Sequence, residues 1–317
     1  MTIVGKTEDG LTELYDAVSI EINQEQDVPC DDLTAVFAYS DNFPTLSKIY
    51  LLDDDCEDIE AAVLGREVLF SGIVDEQVLT AGTDGAEIKV YARSFAALLT
   101  DNECIPQSYN NPTDDVIYHR HLAQFGLYAK PNNTSVRSGE MRIYKGESHY
   151  KAVERYCKQF YGGKPRIDCT GTCHFDGMES DECVVFDNCS GVPFDFVSVS
   201  EKNYSRISQV KVSLNGVNYD TCINDTDAEN RGVIRQRYLD ISDGTGNSMS
   251  DVDRMIKSGK SGSFSVVLKC DAVLINKLGA KAEINIPQCE GKKLLIKELH
   301  CKITGSGAET TVKVSIV

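Results

Sequence analysis

Apolar and polar residues alternate along both end thirds of the chain. Val18, Ile20 and Ile22, for example, are separated by Ser19 and Glu21. A period of two is typical of a β-strand that buries one face and exposes the other, so we predict that both ends are rich in strands. The segments that predict strands are residues 18–22, 33–39, 68–74, 88–92, 208–214, 264–270, 282–286, 294–303 and 311–317.

The middle third has the three-and-four spacing of helices instead. Thr113 can cap a helix that Gly126 would end, and Ser148 can cap a second helix that ends at Gly162. Short strands separated by glycine turns are predicted between residues 166 and 196. Two further helical segments are predicted at residues 95–99 and from Ser250 onward.

The order of these elements predicts a mainly β fold that contains an α+β insert. With 317 residues, the chain is long enough for two or three domains. We predict a first β-barrel domain at residues 1–105, a small α+β insert domain at residues 106–200 and a second β-barrel domain at residues 201–317.

The two β-rich ends share a pattern of residues. Gly65 and then Gly85-Ala86-Glu87 each lead into an alternating strand, and Gly291 and Gly307-Ala308-Glu309 do the same in the last third. The offset is 226 residues at the first glycine (291 − 65) and 222 at the second (307 − 85). Any two amphipathic hairpins are somewhat alike, so a chance likeness is the alternative. If the repeat is real, three copies of the chain would present six similar domains, enough for a pseudo-sixfold ring.

Composition indicates a folded protein, with 41% hydrophobic and 26% charged residues. The net charge of −17 argues against a surface that wraps nucleic acid, because such a surface needs clustered Lys and Arg. Most of the 12 cysteines lie in apolar patterns, which favours reduced, buried thiols over a disulfide framework. We find neither a signal peptide nor an apolar stretch of membrane-spanning length, and expect a protein made in the cytoplasm without a membrane partner.

Several segments resemble the baseplate hub proteins of contractile phage tails, in the Mu-like or late control gene D family. In the first third they are a run from Leu69 to Glu76 and another from Ala92 to Glu103. In the last third, Arg231 to Tyr238 and Leu294 to Leu299 resemble the same family. The chain contains no Trp, whereas the family carries one in the loop that corresponds to residues 270–279, which points to a distant, prophage-type member.

This resemblance implies a homotrimeric hub with two tube-type β-barrel domains that match a sixfold tail tube and a threefold spike. The implied partners are further copies of the chain, the tail tube or a tube-initiator protein, the central spike protein and other baseplate proteins. DNA would be only passing cargo, in a phage. The implied location is the baseplate of a virion or tail-like particle, such as a tailocin, that is assembled in the bacterial cytoplasm.

We predict no metal site, catalytic residue or cofactor. The residues closest to a zinc site are Cys169, Cys173, His174 and Cys183. Three residues separate the first two cysteines, which zinc sites allow, but the spacing between Cys183 and Cys189 does not fit. Cys169 and Cys173 also have the same parity as Ile167 and Gly171, which fits inward-facing positions on a strand, and we favour that interpretation over zinc.

Two other histidines, His119 and His121, stand two apart on a predicted helix. They therefore face different directions and would not readily share a metal ion. No nucleophile elbow, phosphate loop or dinucleotide fingerprint is present, so we predict a structural protein that is not an enzyme. The alternative is a monomeric, zinc-stabilised, β-rich binding module, which would bind zinc and would not associate with itself.

Overall fold

The computed structural model describes residues 1–53, 68–83, 85–129, 139–177, 180–242, 247 and 249–316. Its elements form two compact units. Unit 1 consists of residues 1–179, 271–279 and 298–311, and unit 2 of residues 180–270, 280–297 and 312–317. Two late strands, β20 (Leu294–Thr304) and β21 (Gly307–Ile316), contribute residues to both units.

Unit 1 is built around a sheet in which several strands alternate in burial. Its strands are β1 (Thr2–Lys6), β2 (Leu11–Leu14), β3 (Ala17–Glu25), β4 (Asp32–Ala38), β5 (Lys48–Leu52), β6 (Val68–Gly82) and β7 (Gly85–Ser94). They are ordered β3-β4-β7-β6-β5-β1-β2, and residues 298–304 of β20 pair with β3. Ile22, Leu33 and Phe37 are buried in the core of this sheet, as the period of two predicts.

The predicted α+β segment also belongs to unit 1. Its strands are β8 (Gln107–Asn110), β9 (Tyr128–Ala129), β10 (Glu140–Ile143), β11 (Arg166–Ile167) and β12 (Thr172–His174). Its helices are α1 (Ala97–Asp101), α2 (Asp114–Ile117) and α3 (His149–Phe160), and a π-helical turn (Tyr118–Leu122) and a 3-10 turn (Ala123–Phe125) follow α2. The predicted caps are confirmed, because Thr113 accepts a hydrogen bond from the Val116 amide and Ser148 accepts one from the Lys151 amide.

Unit 2 contains strands β13 (Cys183–Phe186), β14 (Phe196–Glu201), β15 (Gln209–Ser213), β16 (Thr221–Asn224), β17 (Gln236–Asp240), β18 (Phe264–Cys270) and β19 (Lys281–Ile284). Its helices are α4 (Thr226–Asn230) and α5 (Met249–Ser261), with 3-10 turns at Asn203–Ser205 and Pro287–Cys289. Strands β14, β18 and β21 are neighbours in that order, while β13 pairs with β19. A separate sheet has the order β16-β15-β17.

The two segments of the predicted repeat each form a long pair of neighbouring strands. β6 and β7 pair along their length, and β20 and β21 are neighbours. Gly85 and Gly307 open the returning strands with φ angles of 124° and 137°, a region that favours glycine. From these glycines onward, the first six residues of β7 and β21 bury the same two positions, Ile88 and Val90 in one and Thr310 and Val312 in the other. Residues 65–67 of the predicted repeat lie outside the described residues.

The predicted mainly β fold is confirmed, but some local predictions need correction. Strands β1, β2 and β5 were not predicted, and α5 begins at Met249, so Ser250 lies within the helix instead of capping it. The division into domains at residues 1–105, 106–200 and 201–317 stays a prediction. Over the residues that the structure describes, no helix is long and apolar enough to cross a membrane.

Candidate interaction surfaces

The small sheet of unit 2 presents an aromatic face. Val210 and Val212 of β15 pack toward Val252 of α5, so Lys211, which lies between them, faces the other way. The strand register places Lys211 beside Tyr238 of β17. Its ammonium group lies 5.9 Å from the centre of the Tyr238 ring.

Tyr238 also contacts Tyr219, whose ring stands nearly perpendicular to it at a centroid distance of 5.2 Å. Tyr238 is 59% exposed, and Ile234, just before β17, is 93% exposed. Arg237 is exposed at the edge of β17, which pairs only with β15 among the described residues. The register pairs Arg237 with the buried Val210, so Arg237 lies on the opposite face of the sheet. We call Lys211, Tyr219 and Tyr238 the basic aromatic patch. Across the described part of the chain, neither Lys211 nor Arg237 forms an ion pair.

Such a surface is suited to binding a protein. Tyr contributes strongly to the energetics of many protein interfaces, because it combines a large apolar area with a directed polar group. A monomeric protein rarely leaves apolar side chains exposed together without a use for them.

Unit 1 carries a groove of the opposite charge. It has a volume of about 1020 Å³ and is lined by residues 7–16 and by residues 40 and 42–47. Its charged side chains are all acidic, and they are Glu8, Asp9, Glu13 and Asp16. Apolar residues such as Leu11, Phe43 and Leu46 also line it. We call this the acidic groove.

Strand β2 runs along the acidic groove, and no described residue other than those of β1 pairs with it. Tyr15, at the end of this strand, donates a hydrogen bond of 2.7 Å to Oε2 of Glu13. The Glu13 carboxylate thereby raises the pKa of Tyr15. An open strand edge next to apolar and acidic side chains can accept a further chain.

In unit 2, strand β14 stands at the end of its sheet as far as the described residues show. Within the described residues β14 pairs only with β18, and both Val197 and Val199 are more than a third exposed. They line a groove of about 690 Å³ together with Phe264 and Lys292. Glu201 and Gln288 line it too, so polar and apolar side chains share this groove. The Lys292 ammonium group lies 4.9 Å from the centre of the Phe264 ring.

The residues nearest to a zinc site occupy separate surroundings. The thiol of Cys169 donates to the Val68 carbonyl at 3.1 Å, and burial raises its pKa to about 12. Cys173 is fully buried in the core of the α+β segment, and burial raises its pKa too. The His174 ring bonds Asp168 at 2.9 Å, while Cys183 is exposed and belongs to unit 2. A search restricted to the described residues finds no group of three or more His, Cys, Asp or Glu residues that could hold a metal ion.

Sequence reasoning missed a buried cluster around His121, which the structure places in the α+β segment. His121 Nε2 lies 2.8 Å from the Tyr109 hydroxyl, and its Nδ1 lies 3.0 Å from Nδ1 of His149. Burial lowers the pKa of His121 to about 4 and also lowers that of His149. Both imidazoles are therefore neutral at pH 7. His119 is exposed, so the two neighbouring histidines do face different directions.

Solved structures that resemble this chain include tail proteins. No protein-family model matches the sequence, and no curated protein matches it. A tail protein from Neisseria meningitidis has 14% identity and a TM-score of 0.74, with 99% of this chain and 95% of that chain covered. The 43 kDa tail protein of prophage MuSo2 from Shewanella oneidensis has 15% identity and a TM-score of 0.73, with 99% and 97% covered.

The chain has the fold of a phage tail protein. The same fold extends to a component of the type VI secretion system of E. coli, with 11% identity and a TM-score of 0.56 over 95% of this chain and 74% of that one. The predicted resemblance to tail proteins is thus confirmed at the level of the fold. The likeness covers the tail proteins almost from end to end, so it includes both compact units.

Proposed function

We propose that the chain is a structural baseplate hub subunit of a contractile tail. Three copies would form a pseudo-sixfold ring that joins the tail tube to the central spike, in a phage, a prophage or a tailocin. The observation that carries this proposal is the fold, which the chain shares with tail proteins over 99% of its length. The chain would act through its interfaces and carry out no reaction.

The matched hairpins support the sixfold part of the proposal. The returning strands β7 and β21 both begin at a glycine with positive φ and have similar burial over their first six residues. If each hairpin belongs to one tube-type domain, a trimer contains six such domains. Six similar positions are what a sixfold tube needs, while three chains match a threefold spike.

The open surfaces support a role in assembly. The edges of β2 and β14, the basic aromatic patch and the acidic groove are all available for protein contacts. A tail hub must bind its own copies, a tube or tube-initiator protein, the spike protein and other baseplate proteins. Several distinct surfaces are therefore expected on one chain.

The charge supports passage of DNA without binding. A trimer would carry three times −17, which is −51. Carboxylates that face a central channel would repel phosphates and keep passing DNA from adhering to the wall. A trimer structure in which acidic side chains are absent from the channel wall would contradict this part of the proposal.

The first experiment is a measurement of mass by light scattering over a range of protein concentrations, with elemental analysis of the same sample for zinc. The proposal predicts particles of three times 34.9 kDa without bound zinc. A strict monomer of 34.9 kDa that holds one zinc ion would instead support the zinc-stabilised binding module.

A further inference from the structure

The turn between β15 and β16 contains the dipeptide Asn215-Gly216, and no other Asn in the 317-residue chain is followed by Gly. Residues 214–220 of this turn are all exposed. Gly216 has a φ of 75°, a left-handed conformation that glycine adopts without strain. Because Gly216 has no side chain, nothing of its own shields its amide nitrogen from the side chain before it. The dipeptide therefore sets an unhindered nitrogen next to a side-chain amide in a turn that water can reach.

Hydrogen bonds hold the Asn215 side chain by its oxygen. Oδ1 accepts from the Val217 amide at 3.0 Å and from the Asn218 amide at 2.9 Å. The Ser213 hydroxyl, at 3.3 Å, is a further donor to the same atom. Within the described residues, Nδ2 of Asn215 has no hydrogen-bond partner. The side chain is thus folded toward the backbone that follows it, while its nitrogen is unrestrained.

The Gly216 amide is unrestrained as well. Its N–H donates to no group in the part of the chain that the structure describes. A Cβ at this position would lie 3.2 Å from Oγ of Ser242 and 3.7 Å from Oδ2 of Asp240. The close contact with Ser242 and the positive φ both favour glycine here, so the nitrogen beside Asn215 stays unhindered.

These contacts have the geometry that promotes acyl transfer. Attack on an amide carbon places negative charge on the carbonyl oxygen, and N–H donors at about 2.7 to 3.1 Å from that oxygen stabilise the charge. The Val217 and Asn218 amides lie at this distance from Oδ1 of Asn215. The attacking nitrogen of Gly216 is the next atom group along the chain, so little translational entropy opposes its encounter with Asn215 Cγ.

We propose that Asn215-Gly216 is a site of self-catalysed modification. The Gly216 nitrogen forms a bond to Asn215 Cγ, the Cγ–Nδ2 bond breaks, and Nδ2 leaves as ammonia with the proton that the Gly216 N–H gives up. The product is a five-membered succinimide ring. Water then opens the ring: addition to Cγ gives aspartate, whereas addition to the main-chain carbonyl carbon of residue 215 gives isoaspartate. The reaction occurs once in each chain and has no external substrate, so it is not an enzymatic activity.

The modification changes the basic aromatic patch. The same turn carries Tyr219, whose ring contacts that of Tyr238 at a centroid distance of 5.2 Å. Isoaspartate lengthens the backbone by one carbon and removes the acceptor that the Val217 and Asn218 amides share, so the turn rearranges and Tyr219 leaves Tyr238. Aspartate keeps both the backbone length and an Oδ acceptor, so it preserves this contact. Isoaspartate formation therefore alters the patch irreversibly as the protein ages.

The test follows this chemistry in the full-length chain. Purified protein is incubated at neutral and at mildly alkaline pH and digested, and mass spectrometry with fragmentation that distinguishes aspartate from isoaspartate measures each Asn. Asn218 is the internal control, because it lies in the same exposed turn but precedes Tyr219 instead of a glycine. A second sample is incubated in guanidinium chloride, where the chain is unfolded and the donors to Oδ1 are no longer aligned.

We expect Asn215 to lose ammonia at least about tenfold faster than Asn218, and about tenfold faster in the folded chain than in the unfolded chain, because the donors are aligned only in the folded turn. The rate should rise with pH, since the attacking nitrogen gives up a proton. NMR of labelled tyrosines should show the contact between Tyr219 and Tyr238 disappearing as isoaspartate accumulates. Freshly prepared Asn215→Asp, which has the carboxylate on a normal backbone, and Asn215→Gln, which would have to close a larger ring, should both keep this contact.

Three outcomes would count against the proposal. If Asn215 stays unchanged in the folded chain, or changes no faster there than in guanidinium chloride, the turn protects the dipeptide and the proposed self-catalysis is wrong. Modification of Asn218 at the same rate as Asn215 would show that exposure alone controls the reaction. Isoaspartate that forms while Tyr219 stays against Tyr238 would refute the effect on the patch.

Discussion

Acid should destabilise this protein through the buried His121 cluster. His121 is fully buried, and its pKa is about 4 in the folded chain against an ordinary value of 6.5. Below pH 6.5 the unfolded chain therefore binds a proton that the folded chain does not bind. Stability is present above the ordinary pKa and is lost as the pH falls from about 6.5 to about 4.

The size of the loss follows from the same two values. A tenfold change in proton affinity corresponds to about 1.4 kcal/mol, so a fall from 6.5 to about 4 is worth about 3 kcal/mol. His149 acts in the same direction, because burial lowers its pKa as well. Protonating either ring places a charge next to the 3.0 Å contact between the two Nδ1 atoms.

Urea unfolding at a series of pH values between about 7 and 4 measures this effect. Tyrosine fluorescence and far-ultraviolet circular dichroism can report unfolding, since the chain has 14 Tyr and no Trp. His121→Gln keeps a polar group near the Tyr109 hydroxyl but does not titrate in this range. We expect the wild type to lose about 3 kcal/mol more than His121→Gln over this range.

His119→Gln is the matched control. His119 lies on the same turn as His121 but is exposed, so this variant should follow the wild type across the pH range. Carboxylates titrate in the wild type and in both variants, so their effect on the free energy of unfolding cancels in the comparison. Parallel losses of stability in the wild type and in His121→Gln would refute the assignment of acid sensitivity to His121.

Two further predictions concern packing and the hairpins. Arg166→Met should lower the free energy of unfolding by about 3 to 5 kcal/mol, because it leaves Asp31 buried without its cation. Arg254→Met, on a helix surface, should lower it by less than about 1 kcal/mol, and urea midpoints compare the two variants. Gly85→Ala and Gly307→Ala should each lower the free energy of unfolding by about 1 to 2 kcal/mol in thermal unfolding. Both glycines have positive φ and open space around the position of a new Cβ, so backbone strain is the cost. Unequal losses in the two variants would argue against equivalent positions in the two hairpins.

Hydrophobic periodicity predicted the strands that have one buried face. Phe264–Cys270 alternates strictly in the sequence and in its burial, and the predicted strand has the observed bounds. Strands β1 and β5 lack this signal, because four of the five residues in each are buried and their apolar positions are consecutive. A short apolar run of that kind is equally compatible with a helix or a strand.

The candidate surfaces were harder to predict than the fold. The segment from Arg231 to Tyr238 was identified only by its resemblance to hub proteins. Its sequence does not indicate that Tyr238 is exposed, because that exposure depends on the register between β15 and β17. The His121 cluster joins segments 28 residues apart, and a histidine in a helical pattern gives no sign of its distant partner. Periodicity describes neighbours along one element, whereas these sites arise between elements.

The contribution of β20 and β21 to both units affects how the protein can fold during synthesis. Unit 1 needs residues 271–279 and 298–311, and two of its core side chains, Ile275 and Cys301, come from those segments. A nascent chain that ends before residue 298 therefore cannot pair β3 with β20. Unit 1 is completed only after the ribosome has passed through most of unit 2, so a fragment of residues 1–179 should be insoluble or depend on chaperones.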